Sequence, residues 1–217
     1  MLDSLKQELA TAVTYLKDEK LRFLGKGNIS FFDRANNLIV AEPALSLSAV
    51  PGDMLVVDLA GQVIEGNGTP CIDLATHIEL YRTFPHISCI VHSHGTYTSA
   101  WAQSGRDIPV YGTGHLDFFA DAVPCTRMLT SSEAEAGYET SAGLCIAEIF
   151  QKKSISPETT AAALLFQHGG YIWGNTVTET ASRCVALEQI AKLAYITERI
   201  IYFRTTSVFE NNSKCRI

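Results

Sequence analysis

The run Ser88-Cys89-Ile90-Val91-His92-Ser93-His94 decides how the rest of this chain reads. Its apolar, partly β-branched start suits a buried strand. Side chains two apart on a strand share a face, so His92 and His94 can converge on one point. Leu164-Leu165-Phe166-Gln167-His168-Gly169-Gly170 has the same plan: an apolar strand ends in a histidine, and two glycines let the backbone turn tightly beside it. Imidazole is the commonest ligand of zinc and similar ions, and a catalytic site typically combines three protein ligands with an open position. His168 is then the natural third ligand. Spacing alone leaves two readings open, a metal centre or incidental surface and capping residues.

Around these strands the sequence predicts an α/β domain. Leu2, Leu5, Leu9, Val13 and Leu16 recur at helical spacing. Short β-rich runs follow in LGKGNISFFDRANNLIVAEPAL, and PGDMLVVDLAGQVIEG reads as a hairpin. Asp73 is placed to cap DLATHIELYRTF, whose Leu74, Ile78, Tyr81 and Phe84 share one side. GTYTSAWAQSG is a short helix closed by Gly105, residues 107–128 are loop with helical turns, and GLCIAEIFQKK is helical. One long helix runs from Thr176 to about Phe203, before a polar, weakly patterned tail. Hairpins outnumber plausible crossovers, so the sheet is expected to be largely antiparallel within one domain, 1–217.

Composition narrows the function classes. Hydrophobic residues make up 47% and charged residues 18%, which excludes a disordered chain and implies surface for subunit contacts. A net charge of −6 argues against nucleic acid, whose binding needs clustered Lys and Arg. No apolar run approaches the roughly 18 residues of a membrane span, and the first segment has no signal-peptide core, so a soluble, cytoplasmic protein is expected. Six scattered cysteines read as buried thiols. Of the other histidines, His77 reads as structural and His86 as a solvated loop residue. Two acids carry a double reading. Asp73 is a helix cap or else a metal-proximal ligand or base; Asp117, beside His115 among aromatics, is a cap or an acid of raised pKa.

Taken together, GNIS (27–30), THIELYRTFPHISCIVHSH (76–94), WAQSG (101–105), GTGHLDFF (112–119), PCTR (124–127) and HGGYIWG (168–174) resemble the class II aldolase/adducin superfamily, most closely its L-ribulose-5-phosphate 4-epimerase branch. The resemblance implies a three-layer α/β/α fold and a homotetramer with active sites between adjacent subunits. It implies that His92, His94 and His168 bind Zn2+, with Mn, Fe or Co as alternatives. Asp73 matches the acid near the metal, Asp117 the acid reached across the interface, and Asn28 the substrate-side Asn of the G-N-[IV]-S turn. The shared chemistry is a metal-stabilised enolate or enediolate, reached by retro-aldol cleavage in the epimerase.

Three departures from the family pattern bear on the substrate. The phosphate-cradle segment K-P-S-G corresponds to Glu42-Pro43-Ala44-Leu45, which reads as repelling phosphate. The Ser-Ser before the metal-proximal acid is Cys71-Ile72, and no tyrosine follows Tyr202. Tyr97 and Tyr171 lie closest in sequence to the metal residues. The leading expectation is a metal-dependent lyase or epimerase acting on a small hydroxy-carbonyl compound without the sugar phosphate. Cleavage, epimerisation, decarboxylation and dehydration all remain open. The alternatives are an L-ribulose-5-phosphate 4-epimerase that holds phosphate through groups such as Lys26 or Asn28, and a non-catalytic, adducin-like interaction module.

Overall fold

The computed structural model describes residues 2–22, 25–44 and 50–213, with side chains as far as 202; Leu45 and Cys215 lie outside the described residues. The strands are β1 (Asn28–Asp33), β2 (Leu38–Ala41), β3 (Leu55–Val57), β4 (Val63–Glu65), β5 (Cys89–Ser93), β6 (Ala162–Leu165) and β7 (Gly169–Gly174). The helices are α1 (Leu2–Asp18), α2 (Leu74–Thr83), α3 (Thr96–Ser104), the single turn α4 (Thr113–Leu116), α5 (Ser131–Lys153) and α6 (Val177–Ser213).

The strands form one sheet in the order β4-β3-β2-β1-β5-β7-β6, and neighbouring strands pair antiparallel throughout. Alternate residues feed two cores. Cys89 and Val91 pack with Leu9, Val13, Trp101 and Leu187 of α1, α3 and α6. Ile90 packs on the other face with Ile78, Tyr81, Ile146 and Phe150 of α2 and α5. The architecture is therefore the three-layer α/β/α arrangement. Helices on both faces explain why β5, β6 and β7 are apolar at successive positions, where an antiparallel sheet with one wet face would alternate.

The tail extends the last helix instead of leaving it. No Gly or Pro occurs after Gly174, so the helix, once nucleated on its core-facing stretch, propagates to Ser213. α5 likewise begins well before Gly143. Thr130 and Glu133 form a reciprocal capping box that fixes its start, although Gly137 breaks the helical backbone at φ 146° and ψ 98°. Leu193, Ile196 and Ile200 of α6 are exposed, and a groove of about 550 Å³ between α1, α4 and α6 is lined by Tyr15, Tyr111, Phe118 and Leu193. The apolar excess of the composition thus reaches the surface there. Among the described residues no helix is long and apolar enough to cross a membrane. Cys71, Cys89, Cys125, Cys145 and Cys184 are free thiols, all buried except Cys71.

Candidate metal centre

His92 lies on β5 opposite Asn28 of β1 and Tyr171 of β7. Strand alternation turns it to the α2/α5 face, and His94 follows just beyond the strand end. The Nε2 of His92 lies 2.9 Å from Nε2 of His94 and 3.0 Å from Nε2 of His168. Ligand bonds of about 2 Å to one ion place neighbouring donor atoms roughly 3 Å apart or slightly more, close to these two spacings, and all three donor atoms lie within 4.8 Å of one another. The opposite nitrogens explain why the lone pairs face inward. A carbonyl only accepts, so the 3.0 Å contact to Gly170 O puts the His92 proton on Nδ1. His168 Nδ1 lies 3.3 Å from the Tyr138 hydroxyl, and His94 hydrogen-bonds to the His168 main chain. With Nδ1 carrying the proton on each ring, three unprotonated Nε2 atoms converge, and a divalent cation satisfies all three.

Electrostatics keep the rings available as ligands. Burial, followed by the His94 and His168 charges, holds His92 well below the ordinary imidazole range. Burial is also the largest cause lowering His94 and His168, partly opposed by the Asp73 carboxylate. Space is equally specific. A Cβ on Gly169 would stand 2.7 Å from Ser93 O and 3.2 Å from the His92 ring. The glycine is therefore needed for room at an extended position, while Gln167, at φ 57°, makes the left-handed turn. Tyr171 is buried and stacks on His92 at 4.3 Å, and burial pushes its hydroxyl well above the usual tyrosine range. It supports the His92 ring and is unsuited to moving protons. Tyr97 instead packs its ring against Tyr195.

Asp73 occupies the N-cap position of α2 without making a side-chain capping bond. Its Oδ2 instead accepts from Asn28 Nδ2 at 2.8 Å and lies 3.5 Å from Cys71 Sγ. Burial pushes the Cys71 thiol up to about 12, so it stays protonated and can donate. Asn28 is buried and thus braces the acid directly. Glu42 corrects the expectation of a repulsive carboxylate in the pocket. It is buried, pairs with Arg22 at 2.7 Å and accepts from the Ile29 amide at 2.9 Å. Its charge is compensated internally, so what remains of that departure is a missing lysine and hydroxyl.

A cavity of about 620 Å³ opens over the histidines, lined by Asp73, His94 and His168 together with Lys26, Tyr138 and Glu139. Ile72, Thr96, Ser99 and Gln103 complete its wall. The sequence reading missed Tyr138, Glu139 and the polar side of α3. Only the glycine before Tyr138 could have marked a break there. Lys26 and Glu139 have no ion pair among the described residues. Asp117 is exposed at the end of α4 and does not line this cavity. His77 is buried against Ser30, His86 is exposed beside Glu158, and buried His115 bonds to Asp121 O.

The fold and this centre define an α/β/α enzyme domain with a three-histidine site suited to a divalent cation. A family model for the class II aldolase and adducin N-terminal domain matches residues 7–195, and the chain belongs to that family, as an enzyme of the class II aldolase superfamily. An L-fuculose 1-phosphate aldolase is similar at 23% identity and a TM-score of 0.75, over 91% of this chain and 87% of that one. The L-fuculose-1-phosphate aldolase of Thermus thermophilus aligns at 20% identity and 0.70, over 94% and 95%. YgbL of Escherichia coli, described as an aldolase, epimerase or decarboxylase, aligns at 22% and 0.70, over 90% of each chain. At these identities the likeness is one of fold.

Proposed function

We propose that this chain is a metal-dependent lyase or epimerase that forms an enolate or enediolate from a small hydroxy-carbonyl substrate lacking a phosphate. The observation carrying this reading is the convergence of three imidazole nitrogens beside Asp73, in a cavity whose rim offers Ile72 where the family has a serine. His92, His94 and His168 hold the ion, zinc being favoured by the all-imidazole set, with Mn, Fe or Co as alternatives. A cation held there supplies Lewis acidity for the charge that develops on oxygen as a C–C or C–H bond breaks.

Asp73 is the proton-transfer group within the chain. Asn28 and Cys71 both engage Oδ2, so the carboxylate is oriented and Oδ1 is the atom that takes and returns the proton. Asp117 serves a neighbouring copy across the interface of a homotetramer, in keeping with its exposure beside the apolar groove. Protein of this kind would act in the cytoplasm on a soluble metabolite. The second reading, L-ribulose-5-phosphate 4-epimerase activity, has one observation in its favour: Lys26 lines the cavity and can meet a phosphate.

The test compares L-ribulose 5-phosphate with unphosphorylated hydroxy-carbonyl sugars on protein of known metal content. Turnover of the latter with higher kcat/KM supports the leading reading. Clear preference for the phosphate establishes the second, and protein that takes up no divalent metal near neutral pH overturns both.

A further inference from the structure

The three imidazoles are not oriented by equivalent partners. His92 is held through Nδ1 by the Gly170 carbonyl, and His94 by the His168 main chain, whereas His168 meets a side chain, Tyr138. We propose that Tyr138 is the positioning residue of the metal centre, carried to His168 by the built-in break of α5 at Gly137. Its phenol oxygen accepts from Nδ1–H of His168, which fixes the ring tautomer and aims Nε2 at the ion. The inference rests on the reading of His92, His94 and His168 as metal ligands.

The break is a constructed feature. Gly137 has φ 146° inside a helix that runs from Ser131 to Lys153. A Cβ there would meet nothing within 4 Å, so the backbone conformation alone demands glycine. Carbonyls beside the break find side-chain donors. Thr76 Oγ1 donates to Glu139 O at 2.7 Å, and Ser141 Oγ donates to Glu133 O at 2.8 Å. Thr76 is fully buried, so α2 grips the restarted helix from the core side. An unbroken helix would give Tyr138 another heading. The same contact gives a role to the polar aromatic that faces the cavity from the segment between His94 and His168.

The experiment uses the full chain and measures Zn2+ affinity by chelator competition, with the Co2+ absorption spectrum as a report on coordination. Tyr138→Phe is expected to weaken Zn2+ binding about 10- to 100-fold and to shift the Co2+ bands, while the metal-free protein keeps its melting temperature. Gly137→Ala should move both readouts in the same direction although the phenol remains. Unchanged affinity and an unchanged Co2+ spectrum in Tyr138→Phe overturn the proposal while the metal centre stands. A wild-type chain that binds neither Zn2+ nor Co2+ overturns the metal-centre reading itself, and this proposal with it.

Discussion

The two walls of the cavity are built in opposite ways. The strand wall presents His94 and His168 and rests on a dry, doubly fixed His92, which is buried, stacked on Tyr171 and bonded to a backbone carbonyl. The helix-end wall, with Lys26, Ile72 and Gln103, is open to solvent, and Lys26 and Glu139 there lack ion pairs among the described residues. A metal centre mounted on a sheet can stay constant while side chains at helix ends change, because the latter contribute little to packing. Damage to the strand wall should therefore cost chemistry or stability, and changes to the helix-end wall should alter selectivity.

The largest effect is expected at the ligands. His94→Ala removes one of the three proposed donors, and turnover should fall by about a thousand-fold or more, since the Lewis-acid contribution is several kcal/mol. The melting temperature of the metal-free protein should barely move, because His94 sits past the end of β5. Retained turnover at wild-type metal occupancy would show that His94 is no ligand.

Next comes the brace behind that histidine. Glu188 of α6 accepts from the amides of Tyr97 and Thr98 and from the Thr98 hydroxyl, at 2.8–2.9 Å, and so caps α3 just after His94. Glu188→Ala strands buried donors, at a cost of about 3 kcal/mol and on the order of 10 °C in melting temperature. A loss under about 2 °C would mean that water takes over the cap.

His77 gives the third effect, through pH. Its Nδ1 meets Ser30 Oγ at 2.7 Å, its buried Nε2 has no hydrogen-bond partner among the described residues, and burial pushes its pKa down from 6.5 to about 3. Between those values the unfolded chain holds a proton that the folded chain refuses, so stability is present above 6.5 and is lost as pH falls toward 3. The slope is up to about 1.4 kcal/mol per pH unit. Urea unfolding of His77→Gln should show a shallower dependence between pH 6.5 and about pH 4.5 than wild type. Equal slopes would place the titration elsewhere.

The same contrast explains what the sequence made legible. His92, His94 and His168 stood out because each ends an apolar run, and the apolar spacing of α1 and α6 followed from their packing on the sheet. Tyr138 did not stand out, because Gly137 reads as an ordinary weak spot in a helical stretch and its φ is set by the tertiary grip of Thr76. Glu42 misled for a related reason. A carboxylate in a phosphate-binding segment reads as repulsive until Arg22, from a distant turn, is seen to neutralise it. Glu188 capping α3 is likewise a contact between segments far apart in the chain. Periodicity reports which face is buried and is silent about partners brought together by the fold.

The smallest effect should come from the rim, and it bears most directly on the substrate. Ile72 is 70% exposed, lines the cavity and directly precedes Asp73. Its apolar side chain offers nothing to a phosphate oxygen, and as a surface position it should tolerate change within about 0.5 kcal/mol. Ile72→Ser returns one hydroxyl donor, worth about 1 kcal/mol where a bond forms. The ratio of kcat/KM for a phosphorylated over an unphosphorylated substrate should then rise by roughly five-fold, through KM more than kcat. Activity on the unphosphorylated compound should hardly change, because the imidazoles and Asp73 are untouched. If the ratio stays fixed while the protein remains folded and metal-loaded, the rim does not set selectivity, and the polar side of α3 becomes the place where the substrate's far end is read.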